Sequence, residues 1–313
     1  MRRMLAAALA LCCTAAAVAA EFDYSLRPEQ VGPGTWVFIG RSEDFSVANG
    51  GNIVNTGFIV TSAGVVVIDT GPSRRYGEQM RAAIARVTPL PVVKVFNTHP
   101  HPDHFLGNQV YQDVGVAALA ATAGDIASAG NALAGNMYRM TGDWMKGTEP
   151  VPPGQVVTAG EVQVGDHTLV LLSLAGHTGG DLALFDRETG VLFAGDLVFF
   201  DRAATTPHAD IALWLESLDT LERLPFRTLV PGHGPVVGDA RAIRQTRDYL
   251  AWLRGALRAA AEQGLDMTEA MALPIPERFR GIALVDQEYH RSVVHLYPGL
   301  EQLALRPARP VAQ

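Results

Sequence analysis

The chain is long and apolar enough to bury a large core, and its net charge is acidic. It contains 313 residues, of which 48% are hydrophobic and 18% are charged, values that exclude a disordered chain. The formal net charge is −7, and the sequence contains no Lys/Arg-rich cluster that would follow a phosphate backbone. We therefore expect a globular protein that has no nucleic-acid partner.

The first twenty residues have the layout of a secretory signal peptide. Arg2 and Arg3 precede an Ala/Leu-rich run that ends in small residues. The alternative is a membrane anchor, but the apolar run is shorter than the roughly 20 residues that a span needs. Cys12 and Cys13 both lie in this segment, so the mature chain would have no disulfide and no thiolate ligand, and loss of the two arginines would change its charge from −7 to −9. We expect a periplasmic or secreted protein that is not inserted in the membrane after cleavage.

The first half of the mature chain predicts a strand meander, a helix and a further strand. Runs of β-branched residues bounded by Gly, Ser and Asn indicate strands over residues 36–40, 53–60 and 64–69. Apolar residues then recur at helical spacing over residues 74–88, ahead of a proline. The next strand, residues 92–96, leads directly into a His-rich segment.

The second half alternates strands with helices. Residues 120–147 are rich in Ala, Gly and Met, and they are interpreted either as core packing or as an adaptable pocket wall. Helices are predicted over residues 210–222, where Asp210 caps the N-terminus, and over residues 239–262. The strands predicted in this half are residues 155–157, 162–164, 168–174, 182–185, 191–197 and 228–230.

This order of elements predicts the fold class. It suits two mixed β-sheets packed face to face with helices outside, an α/β (α+β) fold of four layers, αββα. We find no repeat or low-complexity block in the sequence. We therefore predict a signal peptide over residues 1–20, one domain over residues 21–265, and a C-terminal helical extension over residues 266–313 that packs on the domain.

The His-rich segment after the strand at 92–96 points to a metal site. His99, His101, Asp103 and His104 supply three imidazoles and a carboxylate within six positions. Neutral imidazoles and carboxylates are ligands for zinc and related first-row ions. A loop with a purely structural role does not need this concentration of ligands, so we interpret the segment as half of a metal site.

Three further residues of ligand type lie where a predicted strand meets a turn that contains glycine. They are His177, Asp196 and His233. The ends of strands hold ligands well, because the sheet fixes their position while the loops leave room for a substrate. Five histidines and two aspartates are more than one tetrahedral ion needs, so the number of ligands favours two ions.

Five motifs occur in the order that is typical of the metallo-β-lactamase superfamily, which the chain resembles over roughly residues 35–240. The motifs are Ile68-Asp69-Thr70-Gly71, His99-Pro100-His101-Pro102-Asp103-His104, Gly176-His177-Thr178, Gly195-Asp196 and Pro231-Gly232-His233-Gly234. The resemblance implies the αββα sandwich with a two-metal centre at one edge. Residues 52–60, 196–201 and 209–217 are also similar to periplasmic hydrolases associated with quinoprotein dehydrogenase and sulfur-oxidation systems.

The resemblance also implies a role for each matched residue, in two ligand sets around two Zn²⁺ ions, with iron or manganese as the other metals considered. The first set is His99, His101 and His177, and the second set is Asp103, His104 and His233. Asp196 would bridge the two ions. Asp69 would form hydrogen bonds beneath the His-rich segment.

The chemistry implied by this resemblance is metal-assisted hydrolysis. A hydroxide held between the two ions would attack the carbonyl of a small ester, thioester or lactone, since zinc lowers the pKa of bound water to roughly 7. Asp103 would orient the hydroxide and accept its proton as the catalytic residue. The ions would stabilise the oxyanion, so an acyl-enzyme is not required.

The residue at position 196 bears on the substrate. The secreted β-lactamases of this superfamily typically have Cys or Ser at the position of Asp196, whereas a bridging carboxylate resembles thioester, lactone and phosphodiester hydrolases. Three alternatives stay open: β-lactam hydrolysis, an iron-dependent sulfur dioxygenase, and a non-catalytic accessory of a periplasmic quinoprotein or sulfur-oxidation system. The last of these would have a periplasmic redox-system protein as its partner.

Four histidines lie outside the motifs. His167, His290 and His295 have no ligand context and are interpreted as surface residues or as satisfied core residues. His208 follows the Gly-Asp motif closely, and it is interpreted either as a surface residue or as a residue of the substrate pocket. Tyr138 is the second residue considered for that pocket.

Overall fold

The computed structural model describes residues 22–305 of the chain. Two β-sheets pack face to face with helices on their outer surfaces, which confirms the predicted four-layered fold. The predicted signal peptide, with its two cysteines, lies outside the described residues. Within residues 22–305, no helix combines the length and the apolar character that a membrane crossing requires.

The first sheet contains seven strands that are arranged in sequence order, β1 to β7. The strands are Glu29–Gly32, Thr35–Phe38, Thr56–Thr61, Gly64–Ile68, Val92–Phe96, Val116–Leu119 and Gln155–Val157. Strands β1 to β4 pair antiparallel, whereas β4 to β7 pair parallel. The carboxyl ends of β4 to β7 therefore meet at one edge of the sheet, where ligand-binding residues of such sheets usually lie.

The second sheet contains five strands in the order β12-β11-β10-β9-β8. The strands β8 to β12 are Gly160–Val164, His167–Leu174, Asp181–Asp186, Val191–Phe199 and Thr228–His233. Neighbouring strands from β8 to β11 are antiparallel, and β12 is parallel to β11. His177 lies in the connection between β9 and β10, Asp196 lies within β11, and His233 ends β12. This arrangement brings three distant sequence positions to one end of the sheet.

Seven α-helices occur in the described part of the chain. Helices α1 to α7 are Arg74–Val87, Pro102–Phe105, Ala120–Thr141, Ile211–Glu222, Arg241–Glu262, Met267–Met271 and Val285–Ala304. Short 3₁₀ helices are Asn108–Tyr111, Gly142–Met145 and Glu277–Phe279. The predicted cap of α4 is confirmed, because the Asp210 carboxylate accepts hydrogen bonds from the backbone N–H groups of Ala212 and Leu213.

The alternation of side chains along the strands explains the layers. In β4, Val66 and Ile68 face the second sheet, whereas Val65 and Val67 face α1. Helices α4 and α5 cover the outer face of the second sheet, with Trp214 fully buried among their apolar residues. The apolar face of α7 packs into the same layer.

The structure also corrects the predicted boundaries. Residues 53–55 do not belong to β3, although the sequence predicts a strand over residues 53–60. The side chain of Asn55 is the reason, because its Oδ1 accepts a hydrogen bond from Gly40 and its Nδ2 donates to the carbonyl oxygens of Pro231 and Gly234. Asn55 therefore supports the turn that carries His233. Strands β1 and β6 were not predicted, and the long helix α3 lies where helices were expected between two groups of strands but without predicted bounds.

Candidate metal centre

The His-rich segment begins at the carboxyl end of β5, and the short helix α2 positions its second half. Pro102 occupies the first turn of this helix, where a missing N–H group costs nothing. The backbone N–H of His104 donates to the carbonyl of His101 at 3.0 Å. The turn directs Asp103 and His104 towards the second sheet, and both side chains are buried.

The first group of ligand atoms consists of His99, His101, His177 and Asp196, whose atoms all lie within 4.8 Å of one another. The Nδ1 atom of His101 lies 3.1 Å from His99 Nε2 and 2.8 Å from His177 Nε2. Asp196 Oδ2 lies 3.3 Å from His177 Nε2. Three imidazole nitrogens and one carboxylate oxygen therefore converge at one point.

The second group consists of Asp103, His104 and His233, whose ligand atoms also lie within 4.8 Å of one another. Asp103 Oδ2 lies 3.5 Å from His233 Nε2 and 3.8 Å from His104 Nε2. Asp196 contacts this group as well, with Oδ1 3.2 Å from His104 Nε2 and Oδ2 3.2 Å from His233 Nε2. The carboxylate of Asp196 thus lies between the two groups.

Hydrogen bonds on the outer side of the rings fix the tautomers. His104 Nδ1 lies 2.8 Å from Asp69 Oδ2, and His233 Nδ1 lies 2.7 Å from the carbonyl oxygen of Ile53. Because both partners are acceptors, each Nδ1 carries a proton, which leaves Nε2 as the ring atom that can bind a metal at the centre. Thr98 Oγ1 donates to Asp69, so it accepts from His99 Nδ1, 3.0 Å away, and His99 Nε2 is also a lone-pair ligand.

The buried polar atoms of the centre fit metal ions. His104 Nε2 and Asp196 Oδ1 are buried and make no hydrogen bond to any residue within 22–305. A buried polar atom without a hydrogen-bond partner lowers the stability of the folded protein. A cation would pair with both, and imidazole nitrogens with carboxylate oxygens form the donor set that first-row ions prefer. The residues therefore fit one metal ion in each group.

The electrostatics of the first group favour neutral imidazoles. Burial lowers the pKa of His99 and of His101 well below the usual range, and it lowers the pKa of His177 to about 4. Each effect is opposed by the nearby carboxylate of Asp196. Histidine must be neutral to bind a metal, so these three rings are in the state that binding requires.

In the second group, the nearby carboxylates favour the protonated form of a histidine. Burial disfavours the protonated form of His104, but Asp196, Asp69 and Asp103 together raise the pKa of His104 well above its usual range. Burial also opposes ionisation of Asp196, whereas His233 and His104 lower the pKa of Asp196 well below its usual value. Asp196 therefore remains a carboxylate in this buried position.

Comparison with known proteins identifies the family. A family model described as the metallo-beta-lactamase superfamily matches residues 49–233, which is more than half of the chain. The chain belongs to the metallo-beta-lactamase superfamily. This match confirms the resemblance that the five motifs indicate, and it supports the prediction that the protein is a metal-dependent hydrolase.

Several members of the superfamily are similar to this chain. The acyl-coenzyme A thioesterase MBLAC2 of Gallus gallus is 28% identical over 230 residues, covering 64% of this chain and 79% of the relative. The hydroxyacylglutathione hydrolase of Erythrobacter litoralis is 26% identical over 181 residues, covering 56% of this chain and 61% of the relative. The metallo-beta-lactamase of Pontibacter korlensis superposes with a TM-score of 0.59 at 24% identity, covering 72% of this chain and 99% of that one. The last comparison shows the shared fold alone.

Asp69 lies beneath the His-rich segment of this metallo-beta-lactamase fold. Its Oδ1 accepts from the backbone N–H of Thr98, and its Oδ2 accepts from Thr98 Oγ1 and from His104 Nδ1, each at 2.8 Å. Its backbone is left-handed, with φ 57°, a conformation that Asp tolerates better than most residues. One carboxylate therefore positions the segment and orients a ligand ring.

Replacing Asp69 with alanine should weaken both folding and metal binding. The substitution orphans the buried N–H groups of Thr98 and His104, at about 1–3 kcal/mol each, and metal affinity should fall roughly 10- to 100-fold. Asp69→Asn should be milder in stability, because an amide oxygen still accepts from Thr98. Urea unfolding and chelator competition measure the two effects, and wild-type values for Asp69→Ala would contradict this role.

His208 is the outer partner of His101. Its Nδ1 lies 2.9 Å from His101 Nε2. If His101 binds a metal through Nδ1, its Nε2 carries the proton and donates to His208. A ligand histidine usually donates its other N–H group in this way. His208 is exposed and also contacts His101 of the centre. It is therefore a surface residue that lies beside the candidate site.

Replacing His208 with phenylalanine should lower zinc affinity at the first group by roughly 10- to 100-fold, since His101 loses the acceptor that fixes its ring. His208→Asn should restore most of that affinity through its amide oxygen. Chelator competition gives the affinity, and the visible spectrum of the cobalt-loaded protein reports the ligand field. His290→Phe is the matched control, because His290 is exposed on α7. Equal affinities for His208→Phe and His290→Phe would exclude the proposed contact.

Two residues that support His177 were not predicted. Asp181 Oδ2 accepts from the backbone N–H groups of His177 and Thr178, at 3.1 and 3.0 Å. Burial raises the pKa of Asp181 to about 7, although the hydrogen bonds from Thr178 oppose this shift. The ring of Trp214 packs on His177 at 5.0 Å between centroids. Gly176 permits this approach, since a Cβ there would lie 2.2 Å from Trp214 Cα. Asp181 lies three residues after Gly176-His177-Thr178, and this closeness to the motif is the signal that could have indicated its role.

A cavity of about 260 Å³ opens onto the candidate metal centre, where it meets Asp103, Asp196 and His233. Half of the other residues in its wall are apolar, among them Phe45, Ile53, Leu133, Met140 and Pro207. A second cavity of about 210 Å³ lies on the other side of His101, Leu133 and His208, which line both. Among the ligand residues in the described part of the chain, His101 alone lines this second cavity, so the first cavity is the one that gives access to the centre.

The structure corrects the expectation for Tyr138 and accounts for the other histidines. Tyr138 is 51% exposed. It is not among the described residues that line the cavity at the metal centre, whereas Met140 of the same helix lines that cavity. His167 is a satisfied core residue, because its Nδ1 lies 3.0 Å from Asp186 Oδ2. His290 and His295 are exposed.

Proposed function

We propose that the protein is an exported two-zinc hydrolase that cleaves a small ester, lactone or thioester, with a thioester as the preferred substrate. The observation that carries this proposal is the position of Asp196, whose carboxylate lies 3.3 Å from His177 Nε2 and 3.2 Å from His233 Nε2. A carboxylate between two ligand groups is suited to bridging two ions. Export rests on the sequence of residues 1–20.

The preference for a thioester is supported by the relatives. Two of them are an acyl-coenzyme A thioesterase and a hydroxyacylglutathione hydrolase, and both names denote hydrolysis of a thioester. The β-lactamase structures are similar at 24% identity or less, which supports the fold without supporting β-lactam hydrolysis. A thiolate also leaves without being protonated, so no general acid is needed in the cavity.

The residues around the centre would have different roles in the proposed hydrolysis. Bound zinc ions would supply Lewis acidity and a nucleophilic water near neutral pH. Asp103 is buried and lines the cavity, so its carboxylate is placed to orient a water molecule and accept its proton. The apolar wall formed by Ile53, Leu133 and Met140 would hold the substrate and exclude bulk water.

A substrate panel combined with metal analysis tests this function. The purified zinc-loaded protein should contain about two zinc equivalents, and its kcat/KM for an acyl thioester should exceed that for the matched ester, a lactone and nitrocefin. A single bound ion, or faster turnover of nitrocefin than of any thioester, would overturn the proposal. An iron-loaded sample that consumes oxygen with a persulfide would instead favour a dioxygenase.

A further inference from the structure

One ligand histidine of the candidate centre lacks the outer hydrogen bond that the other four have. The outer partners of His99, His101, His104 and His233 are Thr98, His208, Asp69 and the carbonyl oxygen of Ile53, in that order. His177 differs, because its Nδ1 is buried and makes no hydrogen bond to any residue within 22–305. A ligand histidine usually donates this N–H group to an acceptor that fixes the ring. The ring of His177 must therefore be held in another way.

Two aromatic rings pack against His177. The ring of Trp214 lies 5.0 Å from it between centroids, at an interplanar angle of 66°, and the ring of Phe199 lies 5.8 Å from it, at 57°. Both aromatic side chains are fully buried, and their rings also contact each other at 6.2 Å. Aromatic rings attract one another at such distances and angles, because ring edges are positive and ring faces are negative.

Each of these two rings is fixed by a contact that does not involve His177. Phe199 ends β11, where its backbone N–H donates to Thr246 Oγ1 at 3.1 Å and its carbonyl oxygen lies 2.7 Å from the same hydroxyl. Trp214 belongs to α4, and its Nε1 donates to the carbonyl oxygen of Leu197 at 2.8 Å. The imidazole of His177 therefore rests against two side chains whose positions are set by the fold.

Phe199 also contacts a ligand of the second group. Its ring stacks on the imidazole of His233, with 5.1 Å between centroids and an interplanar angle of 9°. His233 keeps its own outer hydrogen bond, from Nδ1 to the carbonyl oxygen of Ile53 at 2.7 Å. One phenyl ring thus touches one ligand of each group, but only His177 has no other partner for its outer nitrogen.

We propose that Phe199 and Trp214 are positioning residues of the centre, and that their rings replace for His177 the hydrogen bond that fixes each of the other four histidines. The inference rests on the two-metal site of the proposed function. An imidazole that binds a cation becomes more positive, and the faces of aromatic rings attract positive charge. The two rings should therefore favour the orientation and the charge that His177 has when it binds a metal.

A pair of substitutions at Phe199 tests whether the ring itself is needed. Phe199→Met removes the ring but fills the space with a flexible apolar side chain, whereas Phe199→Tyr keeps the ring. Chelator competition gives the zinc affinity of the full chain, and anomalous diffraction from crystals equilibrated with chelator gives the zinc occupancy of each group. In Phe199→Met, affinity at the first group should fall roughly 10- to 100-fold. Affinity at the second group should fall less, because His233 keeps its hydrogen bond, and Phe199→Tyr should retain most of both.

A buried phenylalanine away from the centre is the matched control. Phe58 is fully buried in β3, where its ring packs on Trp36 and Phe38. Phe58→Met should lower stability and leave the zinc affinity of both groups unchanged. A loss of zinc affinity in Phe58→Met as large as that in Phe199→Met would mean that lost core packing explains both, and it would overturn the proposed role.

Crystal structures of the metal-free proteins separate this inference from the proposed hydrolysis. The ring of His177 should have one orientation in the wild type and more than one in Phe199→Met, while His233 keeps one orientation in both. Trp214→Met and Trp214→Phe form a second pair, since both lose the hydrogen bond to Leu197 and only Trp214→Phe keeps a ring. A single orientation of His177 in Phe199→Met and in Trp214→Met, or an equal loss of zinc from both groups in Phe199→Met, would overturn the role of the rings. Disorder of His177 in these variants, without thioester cleavage by the wild type, would support the rings and refute the hydrolase.

Discussion

Asp196→Ala is expected to abolish hydrolysis and to remove one metal equivalent selectively. The carboxylate contacts both ligand groups, at 3.3 Å from His177 Nε2 and at 3.2 Å from His104 Nε2. Without it, each group retains three ligands. We expect the ion of the second group to be the one lost, because Asp103 Oδ2 lies 3.5 and 3.8 Å from the two imidazole nitrogens of that group, whereas His101 Nδ1 lies 3.1 and 2.8 Å from its partners in the first group. We expect kcat/KM to fall at least about 1,000-fold, which corresponds to roughly 4 kcal/mol of transition-state stabilisation. Steady-state kinetics and elemental analysis measure the two losses.

A buried aspartate outside the centre is the matched control for this experiment. Asp186 is also fully buried and contacts a histidine, with Oδ2 3.0 Å from His167 Nδ1 and 2.6 Å from Thr189 Oγ1. Asp186→Ala should lower stability through lost hydrogen bonds while it leaves the two ions of the centre and kcat unchanged, and because Asp186, His167 and Glu188 are themselves a group of possible ligands, metal content is compared with and without a wash in weak chelator. Two metal equivalents and normal turnover in Asp196→Ala would refute the bridging role.

Much of the fold could be predicted from local patterns because its strands and caps follow simple rules. The run of β-branched residues in Gly64–Ile68 and the capping Asp210 both appear in the structure where they were predicted. Strand β1, Glu29–Gly32, was missed because it is a polar edge strand without alternation. Strand β6, Val116–Leu119, was missed because it continues without a break into the alanine-rich helix α3.

The candidate site could also be predicted only in part. The His-rich segment could be identified from its concentration of ligand-type residues, and His177, Asp196 and His233 could be identified because each was predicted at a strand end beside a glycine. The presence of Arg202 and Arg291 in one cavity could not be predicted, since the two are ordinary residues in the sequence until α7 packs on α5. The role of Asn55 could not be predicted for the same reason. Its hydrogen bond to the carbonyl oxygen of Pro231 joins two residues that are distant in sequence, and the β-branched run around Asn55 does not indicate it.

Gly232→Ala is expected to disrupt the centre almost as severely as loss of Asp196, although it removes no ligand. A Cβ at position 232 would lie 1.9 Å from Asp196 Oδ1 and 2.8 Å from the carbonyl carbon of Gly195. Asp196 cannot retreat, because imidazole rings surround its carboxylate. We expect metal affinity at the second group to fall at least about tenfold and kcat/KM to fall by about 100-fold or more. Chelator competition and kinetics test this.

A glycine in open space distinguishes this clash from a general effect of adding a methyl group. Gly135 lies within helix α3, and a Cβ there would meet no described atom within 4 Å. Gly135→Ala should therefore stabilise the protein by roughly 0.5–1 kcal/mol, as is usual within a helix, and leave metal content and turnover unchanged. If Gly232→Ala left metal content and turnover as unchanged as Gly135→Ala does, the carboxylate of Asp196 would have moved away from the added methyl group. The fold would then not fix Asp196 in its bridging position. If only Gly232→Ala loses metal, the absence of a side chain at residue 232 is itself a requirement of the site.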